Sequence, residues 1–160
     1  MKQILCFGDS NTYGYIPENG KRYAYADRWT GILSERLKDE DCRVIEEGLC
    51  GRTTVFEDEL RIGRRGADPA TKILLVSPIW LGEGVWEEGF DQEFNQNSVE
   101  TSKKLKKVYE KIASDYGCDF LAASDYVKPS EADREHLSLE SHRILSDVIY
   151  EKLKEERKSA

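Results

Sequence analysis

At 160 residues the chain has the length of one domain with a single sizeable core, and 39% hydrophobic with 34% charged residues is the balance of a soluble globular protein. A net charge of −7 excludes nucleic acid and anionic membrane as partners held by charge. No apolar run approaches the roughly 20 residues of a membrane span, and the N-terminal apolar stretch stops short of a roughly 7–15-residue signal core.

Residues 3–7 read as the first strand, ending abruptly at Gly8 before Asp9-Ser10-Asn11. A helix is predicted over 27–37, capped by Asp27, with Trp29, Ile32, Leu33 and Leu37 on one face. Residues 43–45 form a second strand, followed by a loop over 46–54 that contains Gly48 and Gly51. The third strand, 72–77, carries four consecutive apolar residues and is stopped by Pro78. Ser98 is expected to cap a long helix in which Leu105, Val108, Tyr109, Ile112 and Tyr116 recur at helical spacing, with Gly117 closing it. A fourth strand spans 119–123. The last helix starts near Ser138 and turns Ile144, Leu145, Val148, Ile149 and Leu153 inward. Strands separated by helices imply an α/β domain over 1–160, with parallel pairing and helices on both faces. Of the four cysteines, Cys6, Cys42, Cys50 and Cys118, none shows paired metal or redox spacing. Cys6 and Cys118, in or beside predicted strands, read as apolar fillers in a reducing cytoplasm.

The carboxyl end of a parallel strand is where ligands and chemistry are found in α/β proteins. Ser10 stands there. Its hydroxyl is a weak nucleophile until a base removes its proton, and the chain has two histidines. His136 follows Asp133 by three residues, a spacing that lets the carboxylate hold Nδ1–H while Nε2 faces a serine. Both segments also read as ordinary polar turns. No metal is expected, since one histidine and one carboxylate lack further ligands. His142, among apolar positions of the last helix, reads as packing. Gly51 allows a backbone N–H to approach a ligand, or is simply a loop glycine. Tyr13, Trp80 and Trp86 fall in loops after strand ends, where aromatics line a substrate pocket or cap the core.

Together, Gly8-Asp9-Ser10-Asn11, the Gly51 loop and Asp133-x-x-His136 resemble the SGNH (GDSL-type) serine hydrolases. Residues 4–15, 44–54 and 72–82 are most similar to the small cytoplasmic arylesterase and acyltransferase branch. The resemblance implies a three-layer α/β/α, flavodoxin-like fold with a parallel sheet. It also implies Ser10 as nucleophile, His136 as base, Asp133 as its orienter, and the N–H groups of Ser10 and Gly51 in an oxyanion hole. The chain departs from the family at one block, Gly-x-Asn-Asp, whose asparagine completes that hole. Between Gly66 and Lys72 stands only Ala-Asp-Pro-Ala-Thr. By comparison with the family, roughly 50 residues are absent, about one strand–helix unit.

The reading is a serine esterase that hydrolyses small carboxylic esters through an acyl-enzyme, with acyl transfer to an alcohol as a variation and no cofactor. One rival is a shortened, weakly active or non-catalytic relative that binds a ligand or partner. A second is a flavodoxin-like module holding phosphate at the Ser10 turn, although no glycine-rich cradle follows that turn. The absent unit leaves two expectations for the sheet. Either it closes the gap between the first and third strands, or it borrows a strand from another chain in a homo-oligomer.

Overall fold

The computed structural model describes residues 2–52 and 71–158. Strand β1 (Lys2–Gly8) pairs in parallel with β2 (Cys42–Gly48), from Lys2 opposite Cys42 to Gly8 opposite Gly48. Strand β3 (Leu74–Ser77) pairs in parallel with β4 (Asp119–Ala122). Among the described residues β1 and β3 do not pair, so the sheet consists of two two-stranded halves. Among the described residues no strand stands between β1 and β3.

Among the described residues there are four α-helices: α1 (Ser10–Tyr13), α2 (Trp29–Arg36), α3 (Gln96–Tyr116) and α4 (Leu139–Lys158). Strand alternation turns Ile4, Cys6, Val44, Leu74, Val76 and Leu121 to one face, against Leu33 and Leu37 and against Leu145 and Ile149 of α4. Helix α3 packs on β3 and β4, and its buried Val99 and Ala113 lie outside that cluster. Helices therefore layer both sides of a small parallel sheet. Parallel strands are normally covered on both faces. Leu5 and Phe7, on the opposite face of β1, remain 44% and 46% exposed.

Several expected details change. Asp27 does not cap α2, because it ends a 3-10 turn (Tyr25–Asp27) and the helix starts after Arg28 with no side-chain cap. Asn95, not Ser98, caps α3. The extended backbone falls at Asn95, and the two side chains exchange bonds of 3.2 Å with each other's amides. Gly117 closes the helix in the left-handed conformation, as expected. The stripe on α3 is only partly buried: Leu105 and Tyr109 are half-buried, Val108, Ile112 and Tyr116 are exposed, and Val99, Ser102 and Ala113 point inward. A helix of 21 residues is about 31 Å long, whereas strands of four residues reach about 13 Å, so much of α3 has no sheet beneath it. On α4, Leu145 and Ile149 are buried but Ile144 is exposed. Cys6 is buried and Cys118 half-buried.

One ionic cluster ties β2 to the segment before α2. Glu46 accepts bonds from Arg28 Nε at 3.0 Å, from Arg22 and from the Thr30 hydroxyl, while Arg28 Nη1 donates to Tyr23 O at 2.8 Å. Arg28 is buried, so its charge depends on that carboxylate. Glu46→Ala is expected to cost about 3–5 kcal/mol by leaving a buried charge unpaired. Urea unfolding of the two proteins measures this, and an unchanged midpoint would refute it.

Candidate active site

Two glycines make the Ser10 turn possible. A Cβ at Gly8 would fall 2.2 Å from Thr12 Oγ1, and one at Gly48 would fall 2.1 Å from the Tyr13 amide. Only with both side chains missing can α1 fold across the ends of the paired strands. Asp9, in extended conformation, caps α1 by accepting the Asn11 amide at 2.9 Å. Ser10 is thereby held in the first turn beyond the carboxyl ends of β1 and β2.

A second turn descends from the other end of the chain. Pro129 and Leu137 form an antiparallel bridge, the Ser130 amide donates to His136 O at 2.7 Å, and the Arg134 amide to Ser130 O at 2.8 Å. Arg134 takes a left-handed conformation, φ 61°. Asp133 Oδ1 accepts the amides of Glu135 and His136 at 3.0 and 2.9 Å, which fixes the carboxylate. Its Oδ2 lies 2.7 Å from His136 Nδ1, and Nε2 lies 2.9 Å from Ser10 Oγ. The carboxylate accepts only, so Nδ1 carries the proton and Nε2 is left to accept the Ser10 hydroxyl. Asn11 secures the approach, its Oδ1 accepting the Leu137 amide at 2.8 Å, and the Tyr15 ring lies against His136 at 4.3 Å.

The electrostatics follow from these contacts. Burial alone would raise the Asp133 carboxyl, but the His136 ring and the amides of His136 and Glu135 pull it below its ordinary value. Burial disfavours charge on His136, yet the bond to Asp133 and the carboxylates of Glu135, Asp133 and Asp9 raise it overall. His142 is the opposite case: burial, then Arg28, lowers it to about 4. It is fully buried, accepts the Trp29 amide on Nδ1 at 3.4 Å, and packs in α4 away from this chain of bonds.

Gly51 has φ +72° with open space where a Cβ would stand, so its backbone conformation calls for glycine and crowding does not. Next to it Arg52 donates to Gly8 O at 2.7 Å and lays its guanidinium 3.9 Å over Phe7. Tyr13 carries the Arg22 guanidinium over its ring at 4.3 Å. Trp80 is exposed and Trp86 half-buried, on a loop that is pinned to the His136 turn. The Gly82 amide donates to Arg134 O at 2.7 Å, and Arg134 bonds Glu87 at 2.8 Å while stacking over Phe90 at 4.0 Å. Sequence reasoning missed Asn11, Tyr15 and Arg134 as positioning groups. Asn11, adjacent to Ser10, was open to suspicion; the other two owe their places to tertiary contacts. Residues 53–54 of the glycine loop and 66–70 before β3 lie outside the described residues. Among the described residues no three His, Cys, Asp or Glu side chains group as metal ligands. Recesses of about 330 Å³ beside Tyr25 and Arg36 and about 300 Å³ beside Leu121 and Tyr126 include neither Ser10 nor His136.

No protein-family model and no curated protein sequence matches the chain. Solved structures do. One is 29% identical with a TM-score of 0.83, over 97% of this chain and 98% of the other. A carbohydrate acetylesterase from Sinorhizobium meliloti is 27% identical with a TM-score of 0.79, over 96% and 99%. The aryl esterase of M. smegmatis is 26% identical with a TM-score of 0.79, over 97% and 99%.

Asn11→Ala leaves the Leu137 amide without its acceptor, at an expected cost of about 1–3 kcal/mol. Faster hydrogen exchange at Leu137 with a lowered melting temperature is the expected result; unchanged exchange would count against the tie. The histidines give stability a pH dependence of opposite signs. An unfolded His142 takes up its proton near 6.5 and the folded one only near 4, so its contribution is lost as pH falls through that window. His136, raised in the fold, adds stability below 6.5 that is lost as pH rises through its folded value. Ring resonances are expected to show His142 neutral down to about 4 while His136 titrates above 6.5.

Proposed function

We propose that this chain, whose structural neighbours are SGNH (GDSL-type) acetylesterases and arylesterases, is a serine esterase acting on small carboxylic esters through an acyl-enzyme. The observation that carries the reading is the hydrogen-bonded path from Asp133 through His136 to Ser10, with links of 2.7 and 2.9 Å.

Ser10 Oγ attacks the ester carbonyl carbon as its proton passes to His136 Nε2, and the carbonyl electron pair moves onto oxygen. Asp133 holds the ring and favours the imidazolium. Collapse of the tetrahedral species breaks the bond to the alcohol, which leaves with the proton from Nε2. Water, or a second alcohol in acyl transfer, then attacks the acyl-enzyme with His136 again as base. Trp80 and Trp86, on the loop pinned by Arg134, are proposed to wall the substrate, with Tyr13 beside them. A cytoplasmic setting is part of this reading, and no helix among the described residues is long and apolar enough to cross a membrane.

The oxyanion falls to the amides of Ser10 and Gly51. The resemblance assigns a third donor to the absent block, and among the described residues β1 and β3 do not pair. Losing one such donor costs about 100–1,000-fold in rate, and the loss falls on kcat because these donors act on the transition state. A fluorophosphonate is expected to label Ser10 and to leave Ser10→Ala unlabelled. With a small phenyl ester, kcat/KM is expected to fall as pH drops through a value above 6.5, the direction in which His136 is shifted. Asp133→Asn is expected to lower kcat steeply with the fold intact. Absence of labelling, or a rate flat between pH 5 and 8, would refute the reading; kcat equal to that of a full-length relative would refute the account of the gap.

A further inference from the structure

Glu135 lies on the reaction side of the imidazole. Its Oε1 is 3.8 Å from His136 Nε2, the same nitrogen that stands 2.9 Å from Ser10 Oγ. Asp133 holds the far nitrogen, so the ring sits between two carboxylates. The side chain of Glu135 is only 29% exposed, and among the described residues its ion-pair partner is His136. The nearest cation in sequence, Arg134, is turned away onto Glu87 and Phe90.

We propose that Glu135 is a positioning residue that acts through His136: its carboxylate stabilises the imidazolium formed when Ser10 gives up its proton, and so sets the pH range in which the site works. The inference rests on the esterase reading above. The carboxylate forms no bond with substrate and takes no proton from Ser10. It lowers the energy of the state in which Nε2 holds that proton, before the proton passes to the leaving alcohol.

The other groups facing this ring oppose or reinforce that role in a definite order. Burial disfavours charge on His136. Asp133 from the same turn, Glu135, and Asp9 from the start of α1 favour it. Burial raises Glu135 itself; the ring opposes that, and Asp133, Asp91 of the loop after β3, and Asp9 add to it. The Tyr15 ring packs on the imidazole without a charge. Among these groups His136 is the one that favours the charged form of Glu135. The two groups favour one another's charged forms across the step in which Ser10 is activated.

The test is Glu135→Gln, which keeps the shape and removes the charge, with Glu140→Gln as a control of equal charge change on the exposed first turn of α4. His136 is titrated by ring resonances in the Ser10→Ala background, where no turnover is needed; His142, neutral to about 4, is the internal reference. The expected result is a lower His136 midpoint in Glu135→Gln, by about half a pH unit or more, so that kcat/KM at acidic pH rises about threefold while the alkaline plateau falls. Glu135→Asp retains charge on a shorter arm and is expected to fall between the two, which keeps the test decisive if the Gln protein fails to fold. An unchanged midpoint in the foldable variants, or an equal shift in Glu140→Gln, would overturn the proposal. A lowered midpoint in a protein that hydrolyses no ester would uphold the coupling of Glu135 to His136 and overturn the esterase reading instead.

Discussion

The site depends on two bonds that cross the same sequence distance. His136 meets Ser10 and Leu137 meets Asn11, each pair separated by 126 positions. Adjacent residues on one turn are thus matched to adjacent residues on the other, and two points fix a register that one would leave free to pivot. Neither bond contributes more than about 0.5–1.5 kcal/mol net to stability. Their value is geometric. A base must stand within about 2.6–3.2 Å of the proton it takes, and misplacement by an ångström is costly in rate. The Asn11 carboxamide supplies that placement through neutral amide chemistry, leaving the ionisable groups for proton transfer.

The split sheet shows which force holds the halves together. Hydrogen-bonded ladders are directional, and the ladder stops at β1 on one side and β3 on the other. Hydrophobic burial has no such requirement. On the face covered by α2 and α4 a single cluster runs from Ile4, Cys6 and Val44 to Leu74, Val76 and Leu121, spanning both halves. On the opposite face Leu5 and Phe7 are exposed, and Arg52 lies over Phe7 and bonds Gly8 O. One helix layer therefore carries the domain's continuity.

What was legible in the sequence divides along the range of the interactions involved. The strand ending at Gly8, the glycine closing α3 and the Asp-x-x-His turn are local, and short-range stereochemistry announces them. Ser98 was expected to cap α3 and Asn95 does so instead; both residue types are good caps, and the extended backbone at Asn95 decides. The apolar stripe of α3 misled because periodicity reports which face could be buried, while burial needs a neighbour. Val108, Ile112 and Tyr116 have the spacing of a core face and no sheet to cover. Tyr15 against His136 and Arg134 against Phe90 were illegible for a related reason, since each joins segments that only the folded chain brings together.

The two halves of the proposed machinery also differ in what they owe to the absent unit. The acid–base half is carried by the Ser10 turn and the 129–137 turn. Both are fixed by their own amides and by Asn11, so the half survives a break in the middle of the sheet. The oxyanion half draws its third donor from the block that is gone. A hydrogen-bonded serine and histidine form in the resting protein at no demand on that donor, because the carbonyl oxygen acquires its charge only during attack. On the proposed reading, a chain without that block keeps an intact resting geometry and loses stabilisation where the barrier lies. Ester binding, assigned by the same proposal to the loop that carries Trp80 and Trp86, does not draw on that donor, so binding and turnover separate along the boundary between these two parts of the site.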